Sequence, residues 1–120
     1  MKMQETNNSV TNLEVVLLSE NAKAPTRSYA LDAGLDLYAA EDLFISVNET
    51  KVVKTGVAIA VPEGYVGKIE DRSSMAAKGL RTGAGVVDSG YTGEVGIVIH
   101  NISNVSVKDP ILWRSGYTIK

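Results

Sequence analysis

The chain has 120 residues, with twelve Lys and Arg against fourteen Asp and Glu, and a formal net charge of −2. Its length fits one domain, and 44% of its residues are hydrophobic, which is enough for a core without covalent crosslinks. The balanced charge argues against a broad basic surface for long nucleic acid, whereas a small anionic ligand would need only a local basic spot.

The residue types that are missing narrow the chemistry further. The chain has no cysteine and a single histidine, His100, which excludes disulfides, thiol catalysis and zinc sites built on Cys or on a His cluster. A metal would need hard oxygen ligands, which indicates Mg²⁺. No apolar run reaches the ~18 residues of a membrane span. We therefore expect no membrane contact and a location in the reducing cytoplasm.

In chain order, a polar segment that we interpret as a flexible tail (1–12) precedes a domain over 13–120. Strand patterns are predicted at 13–19, 35–47 (with a break near Glu41), 50–62, 65–72 and 93–103. Between the third and fourth of these, Pro62 and Gly64 predict a turn. His100 lies within the last pattern, and we interpret it as a surface or packing residue.

One short helix is predicted near 74–80. Ser73 or Ser74 could cap its start, and Gly79 could end it. The final stretch, 109–120, ends on strand-like residues. Many short strands separated by turns favour an all-β sandwich or barrel.

Three segments carry candidate chemistry, and the first is EDRSSMA (70–76). Arg72, Ser73 and Ser74 place a fork of N–H donors and two hydroxyl donors at a predicted helix start. Such a group is suited to holding phosphate. The alternative is an ordinary helix start with a serine cap and an arginine in solvent.

The second segment is GAGVVDSGYTGEVGIVIHN (83–101), in which Asp88 is alone in an apolar run flanked by glycines. Glycine permits positive φ and close backbone approach, so peptide groups could pair with the edge of a pyrimidine such as uracil. Asp88 could then orient a water as general base, and Tyr91 could lie under a sugar. The alternative is a tight hairpin in which Asp88 caps a turn and Tyr91 is half-buried.

The third segment is DAGLDLYAA (32–40), where Asp36 lies between Leu35 and Leu37 on a predicted strand. Its side chain should therefore point away from the two leucines. Asp36 could anchor an arginine of another segment or hold a water near a metal. The alternative is a solvated residue at the edge of a sheet.

Together these segments resemble three of the five ordered motifs of the trimeric dUTPases, of phage or bacterial type. AGLDLYAA (33–40) is similar to the first motif, DRSSMAAKG (71–79) to the second and GAGVVDSGYTGEVG (83–96) to the third. The resemblance implies a jelly-roll-like β-barrel that assembles as a homotrimer with shared sites and an exchanged final strand. The second motif often has proline where this chain has Asp71, and an extra acid before an anionic site is unfavourable unless its side chain points away.

The resemblance also implies a reaction, the Mg²⁺-dependent hydrolysis of dUTP to dUMP and pyrophosphate. Asp88 would activate the water that attacks the α-phosphorus, Tyr91 would stack on the deoxyribose and exclude a 2′-hydroxyl, and Asp36 would support the site. Mg²⁺ would be held by the triphosphate and water, in the cytoplasm of a bacterium or a phage-infected cell. Further substrate-binding positions are implied at Arg72, Ser73, Ser74, Thr82, Gly85, Val86, Val87 and Gly96.

Two alternatives remain from the sequence. The fourth motif, a Gly-acid-basic-Ile-Ala-Gln run, and the fifth, a glycine-rich tail, would follow Lys120, so we expect a truncated product or a fragment. A catalytically impaired nucleotide-binding or regulatory protein is therefore one alternative. The other is a relative of the dCTP deaminases, which share the fold, but their catalytic glutamate would fall at Val98.

Overall fold

The computed structural model describes residues 2–4, 10–108 and 117–119. The predicted tail over 1–12 and the closing stretch 109–120 therefore lie partly outside the described residues. Within the described part, no helix is long and apolar enough to cross a membrane.

The described residues form strands joined by loops, together with one short helix, α1 (Ser73–Ala77). The strands are β1 (Lys2–Gln4), β2 (Val10–Asn12), β3 (Glu14–Leu17), β4 (Leu35–Leu37), β5 (Phe44–Ile45), β6 (Thr50–Ala60), β7 (Gly67–Glu70), β8 (Leu80–Gly83), β9 (Val86–Val87), β10 (Glu94–Asn101), β11 (Val107–Lys108) and β12 (Tyr117–Ile119).

Two four-stranded antiparallel sheets make up the domain. Their strand orders are β3-β6-β10-β8 and β4-β12-β7-β9, and two-stranded pairs, β1-β2 and β11-β5, accompany them. Both large sheets contribute to a single buried cluster of mainly aliphatic side chains. The predicted all-β, jelly-roll-like class with one short helix is confirmed, although the sheets stay separate and do not close into one barrel.

The alternation along β10 specifies which face is buried. Val95, Ile97 and Ile99 are at most 1% exposed, while the residues between them are only half-buried, as the two-residue period of a strand requires. Each such side chain contributes about 1.5–3 kcal/mol when it is removed from water. Val57 and Ile59 on β6 follow the predicted pattern in the same way.

The start of α1 differs from the sequence prediction. Arg72 is the N-cap residue, with extended backbone (φ −85°, ψ 136°), and its carbonyl accepts hydrogen bonds from the N–H groups of Met75 and Ala76. Ser73 and Ser74 thus lie inside the first turn, and the prediction of a serine cap is wrong because the backbone turns into the helix one residue earlier. The predicted end is confirmed, since Gly79 follows the C-cap residue with φ +89°.

Strand β12 joins two segments that are far apart in the sequence. Thr118 lies opposite Asp36 of β4 on one side and opposite Glu70 of β7 on the other. This register confirms the strand-like character of residues 117–119. It also brings β4 close to the end of β7, where Arg72 follows two residues later.

Candidate functional site

A cleft of about 220 Å³ opens beside segment 83–96, and we call it the hairpin cleft. Asp88 and Tyr91 both line it, as does the backbone of β9. Its complete lining is Ile69, Ala84, Gly85, Val86, Val87, Asp88, Tyr91, Val95, Gly96 and Val98. Six of the predicted site residues therefore meet in one concave surface.

A left-handed turn shapes one wall of this cleft. Ala84 and Gly85 have φ values of +56° and +92°, and the Ile69 N–H donates to the Gly85 carbonyl at 2.7 Å. A Cβ on Gly85 would lie 2.8 Å from the Ile69 carbonyl oxygen. Glycine at 85 thus allows the backbone of β7 to approach closely, and this contact fixes the position of β9.

The Asp88 carboxylate is exposed at the cleft. The turn that follows it is closed by the backbone, because the Tyr91 N–H donates to the Asp88 carbonyl at 3.1 Å. Within the part of the chain that the structure describes, the carboxylate has no hydrogen bond or ion pair of its own. It is therefore available to a water molecule or a ligand, as a general base requires.

Tyr91 is held at the cleft by its hydroxyl group. Its Oη donates to the Glu94 carbonyl at 2.7 Å, and its side chain remains 47% exposed. A half-exposed aromatic ring with a fixed position can serve as a flat apolar contact for a ligand.

The Arg72 guanidinium is oriented by Asp36. Arg72 Nη1 lies 3.5 Å from Asp36 Oδ2, with the two side chains 32% and 13% exposed, and Ser28 Oγ donates to the same oxygen at 2.6 Å. This ion pair is the first of the two roles that the sequence suggested for Asp36. A guanidinium has five N–H donors, so one such contact leaves others for an anionic ligand.

Asp71 is directed toward β8. Its Oδ1 accepts hydrogen bonds from the Thr82 backbone N–H at 2.7 Å and from Thr82 Oγ1 at 2.6 Å, and its Oδ2 lies 3.1 Å from Arg81 Nε. Burial alone would raise the pKa of Asp71, but the hydrogen bonds from Thr82 and the positive charge of Arg81 together lower it below the ordinary aspartate value. These contacts hold the Asp71 carboxylate against Thr82 and Arg81 of β8.

The predicted residues thus fall into two groups on one chain. The hairpin cleft contains none of Asp36, Arg72, Ser73 and Ser74. These four form a second group at the start of α1, which we call the arginine group. Thr82 belongs to neither group. Its hydroxyl donates to Asp71.

Several contacts that shape the two groups were missed by sequence reasoning. Ser28 donates to Asp36 next to an isolated bridge between Thr26 and Asp36, for which the sequence carries no signal. Glu94 contributes a backbone carbonyl, which is independent of its side-chain type. Gly93, by contrast, stands in the Tyr-x-Gly part of the third motif, so a signal for it was present.

The comparisons with known proteins give a single family. The dUTPase family model matches residues 20–110. The chain belongs to the dUTPase family. It is 44% identical over 102 residues to the deoxyuridine 5′-triphosphate nucleotidohydrolase of Debaryomyces hansenii, covering 84% of this chain and 64% of that protein. For the same enzyme of Eremothecium gossypii the identity is 50% over 97 residues, with 80% and 63% covered. The chain therefore spans less than two thirds of the length of these relatives.

Solved dUTPase structures share the fold. A mutant dUTPase from phage phi11 of S. aureus, described with a coordinated structural Mg(II) ion, has a TM-score of 0.80 and 30% identity, covering 91% of this chain and 88% of that chain. The Staphylococcus bacteriophage 80alpha dUTPase with dUPNHPP has a TM-score of 0.79 at 30% identity, covering 90% and 80%. The jelly-roll-like architecture is thus the dUTPase architecture.

In the present chain, the described residues contain no group of three or more His, Cys, Asp or Glu side chains that could hold a metal ion. Mg²⁺ binds readily through one or two carboxylates or through substrate phosphates, keeping several waters. An ion held by substrate phosphates and water would need no such group of side chains.

Proposed function

We propose that this protein hydrolyses dUTP to dUMP and pyrophosphate. The observation that carries the proposal is the hairpin cleft. It combines Asp88, whose carboxylate has no partner among the described residues, with a positioned ring, Tyr91, and the exposed edge of β9. A thiol intermediate is not available to a chain without cysteine. Activation of a water by Asp88 is the chemistry that these residues support.

The nucleoside part of the substrate would bind along β9. Val86 and Val87 are held against β7, so their peptide groups present a rigid edge to the uracil donors and acceptors. Tyr91 would lie against the deoxyribose. A rigid backbone edge loses little conformational entropy on binding, and a hairpin that contacts uracil closely leaves little room for a 5-methyl group.

The phosphates would bind at the arginine group. Arg72 can form charge-assisted hydrogen bonds to phosphate oxygens while Asp36 holds its orientation, and the hydroxyls of Ser73 and Ser74 are exposed beside it. Mg²⁺ bound to the phosphates and to water would neutralise part of the triphosphate charge. Asp71 does not oppose this binding because its carboxylate is committed to β8.

Catalysis would then consist of positioning and proton removal. Asp88 would orient a water in line with the bond between the α-phosphorus and the bridging oxygen and accept its proton as the new P–O bond forms. The pyrophosphate leaves with the electrons of the broken bond, its charge held by Arg72. Little covalent work falls to the protein, as in other phosphoryl transfers.

We further propose a homotrimer with shared sites. On one chain the arginine group lies outside the hairpin cleft, whereas a single dUTP must touch both a base-binding edge and a phosphate-binding group. Pairing the cleft of one subunit with the arginine group of another would complete each site. Symmetric assembly would give three equivalent sites.

The deaminase alternative loses support at the cleft. Val98 lines the cleft where that reaction would need a glutamate, and a valine cannot transfer a proton. A nucleotide-binding protein without catalysis remains the second candidate from the sequence, and turnover separates it from an enzyme.

The test is calorimetric titration of the protein with dUTP and with dTTP in the presence of Mg²⁺, followed by chromatography of the products. We expect dUTP to bind more tightly than dTTP and to yield dUMP and pyrophosphate. Equal affinities for the two nucleotides would contradict the cleft as the uracil site. Tight dUTP binding without product would support the nucleotide-binding alternative.

A further inference from the structure

The ring of Tyr91 packs against a position that has no side chain. A Cβ on Gly93 would lie 2.7 Å from Tyr91 Oη, 2.9 Å from Cζ and 3.2 Å from Cε1. All three contacts are shorter than the roughly 3.5 Å of van der Waals separation. The present position of the ring therefore depends on glycine at 93. Its φ lies outside the left-handed region, so the backbone itself does not demand glycine.

The hydroxyl end of the same ring is fixed through Glu94. The Glu94 carbonyl accepts the Tyr91 Oη–H at 2.7 Å. The side-chain carboxylate oxygen Oε2 of Glu94 accepts the Gly56 backbone N–H at 2.8 Å. Gly56 lies in the central strand β6, and Glu94 opens β10. The ring is thus connected to the rigid part of the fold on one side and limited by Gly93 on the other.

We propose that Gly93 and the Glu94 carbonyl are the elements that set the position of Tyr91, and thereby the discrimination between deoxyribose and ribose nucleotides. This inference rests on the proposed function, in which Tyr91 contacts the sugar. Gly93 touches no substrate and acts as a positioning residue. The pair holds the ring at a depth where the extra 2′-hydroxyl of a ribonucleotide has no space.

A side chain at position 93 would displace the Tyr91 ring and leave the backbone in place. The colliding atoms belong to the outer end of a half-exposed ring, not to backbone. An alanine at 93 therefore displaces the ring and lengthens its hydrogen bond to Glu94, and the fold is retained. The space released beside the sugar admits the 2′-hydroxyl.

A matched pair of glycine variants tests this inference. Gly93→Ala places a methyl group against the ring, whereas Gly90→Ala, in the same turn region, adds a methyl group that meets nothing within 4 Å. We would measure the dissociation constants of dUTP and UTP for each variant by calorimetry with Mg²⁺. Gly93→Ala should reduce the preference for dUTP over UTP by about tenfold, mainly by tightening UTP, while Gly90→Ala should leave the preference at its wild-type value.

Tyr91→Phe gives a second, independent test if Gly93→Ala fails to fold. It adds no atoms and removes only the hydrogen bond to Glu94, so the ring becomes mobile and the preference should fall by about threefold, a loss comparable to one hydrogen bond. If Gly93→Ala and Tyr91→Phe, whichever of them fold, bind dUTP and keep the wild-type preference within about twofold, the inference is overturned while the proposed function stands. If the wild-type protein binds neither dUTP nor dTTP, the proposed function fails, and the inference fails with it.

Discussion

The hairpin cleft and the arginine group are built by different physical means. In the cleft, Gly85 and Tyr91 are positioned by neutral hydrogen bonds that involve backbone carbonyls and by close approach at positions without side chains. In the arginine group, Arg72 and Asp36 are held by side-chain charge. The proposed base-binding half is thus shaped mainly by uncharged contacts, and the proposed phosphate-binding half is held by charge.

This difference predicts how each half responds to solution conditions. Backbone hydrogen bonds and steric contacts depend little on salt, whereas partly exposed ion pairs are screened within a Debye length of about 8–10 Å at physiological ionic strength. Binding of deoxyuridine alone should therefore be nearly independent of salt. Binding of the triphosphate should weaken as salt is added.

Asp88→Asn should remove the proposed catalytic function of the cleft while preserving its shape. An amide cannot accept the proton of the attacking water, so the hydrolysis rate should fall by at least about 100-fold with dUTP still bound. Product formation and calorimetric binding are measured on the same preparation. Asp42→Asn, at an exposed position outside the cleft, is the control. A variant that retains most of its rate would place the general base elsewhere.

Arg72→Ala tests the electrostatic half. Loss of charge-assisted hydrogen bonds to phosphate should weaken dUTP binding by about 10- to 100-fold and leave deoxyuridine binding unchanged. The salt dependence of dUTP binding should decrease as well. Arg81→Ala is the matched control, because that arginine is 56% exposed and pairs with Asp71. Equal weakening of both ligands would make Arg72 a structural residue.

Gly85→Ala tests the steric half. A Cβ at φ +92° and 2.8 Å from the Ile69 carbonyl should lower the free energy of unfolding by about 1–3 kcal/mol. Because no charge is involved, the loss should be the same at low and high salt in urea titrations. Gly90→Ala should be close to wild type. A variant as stable as wild type would show that the turn at 84–85 relaxes without cost.

Asp71→Asn should have the smallest effect, which is a change in the pH dependence of the free energy of unfolding. The pKa of Asp71 is lowered in the folded state, so its ionised form stabilises the fold above the ordinary aspartate pKa of about 3.9, and that stabilisation is lost as pH falls through the folded-state pKa. Near neutral pH the variant should be about 1 kcal/mol less stable than wild type. Urea titrations from pH 7 down to pH 3 should show this gap closing in acid. A gap that stays constant over that range would mean that the charge of Asp71 is not its source.

The sequence predicts the burial of individual strand residues better than the arrangement of the candidate site. Local patterns suffice for the burial of Val57, Ile59 and Ile97, because strand alternation is a property of neighbouring residues. The ion pair between Asp36 and Arg72 depends on β12 joining β4 to β7, which is a long-range pairing without a local signal.

The helix cap illustrates the same limit on a smaller scale. Serine is a favoured N-cap residue, so the sequence favours Ser73 or Ser74. The observed cap is Arg72, whose extended backbone continues directly from the end of β7. Tertiary context therefore overrides the local preference for the cap.

The most direct test of the account is complementation between two variants that damage different halves. Arg72→Ala and Tyr91→Ala are each purified, unfolded in urea, mixed in equal amounts and refolded together, and dUTP binding with Mg²⁺ is measured by calorimetry. If each site combines the hairpin cleft of one subunit with the arginine group of another, the mixture should contain a fraction of sites with wild-type affinity that neither variant has alone. If the mixture binds dUTP no more tightly than the separate variants, both groups act within one chain and the shared-site account is contradicted.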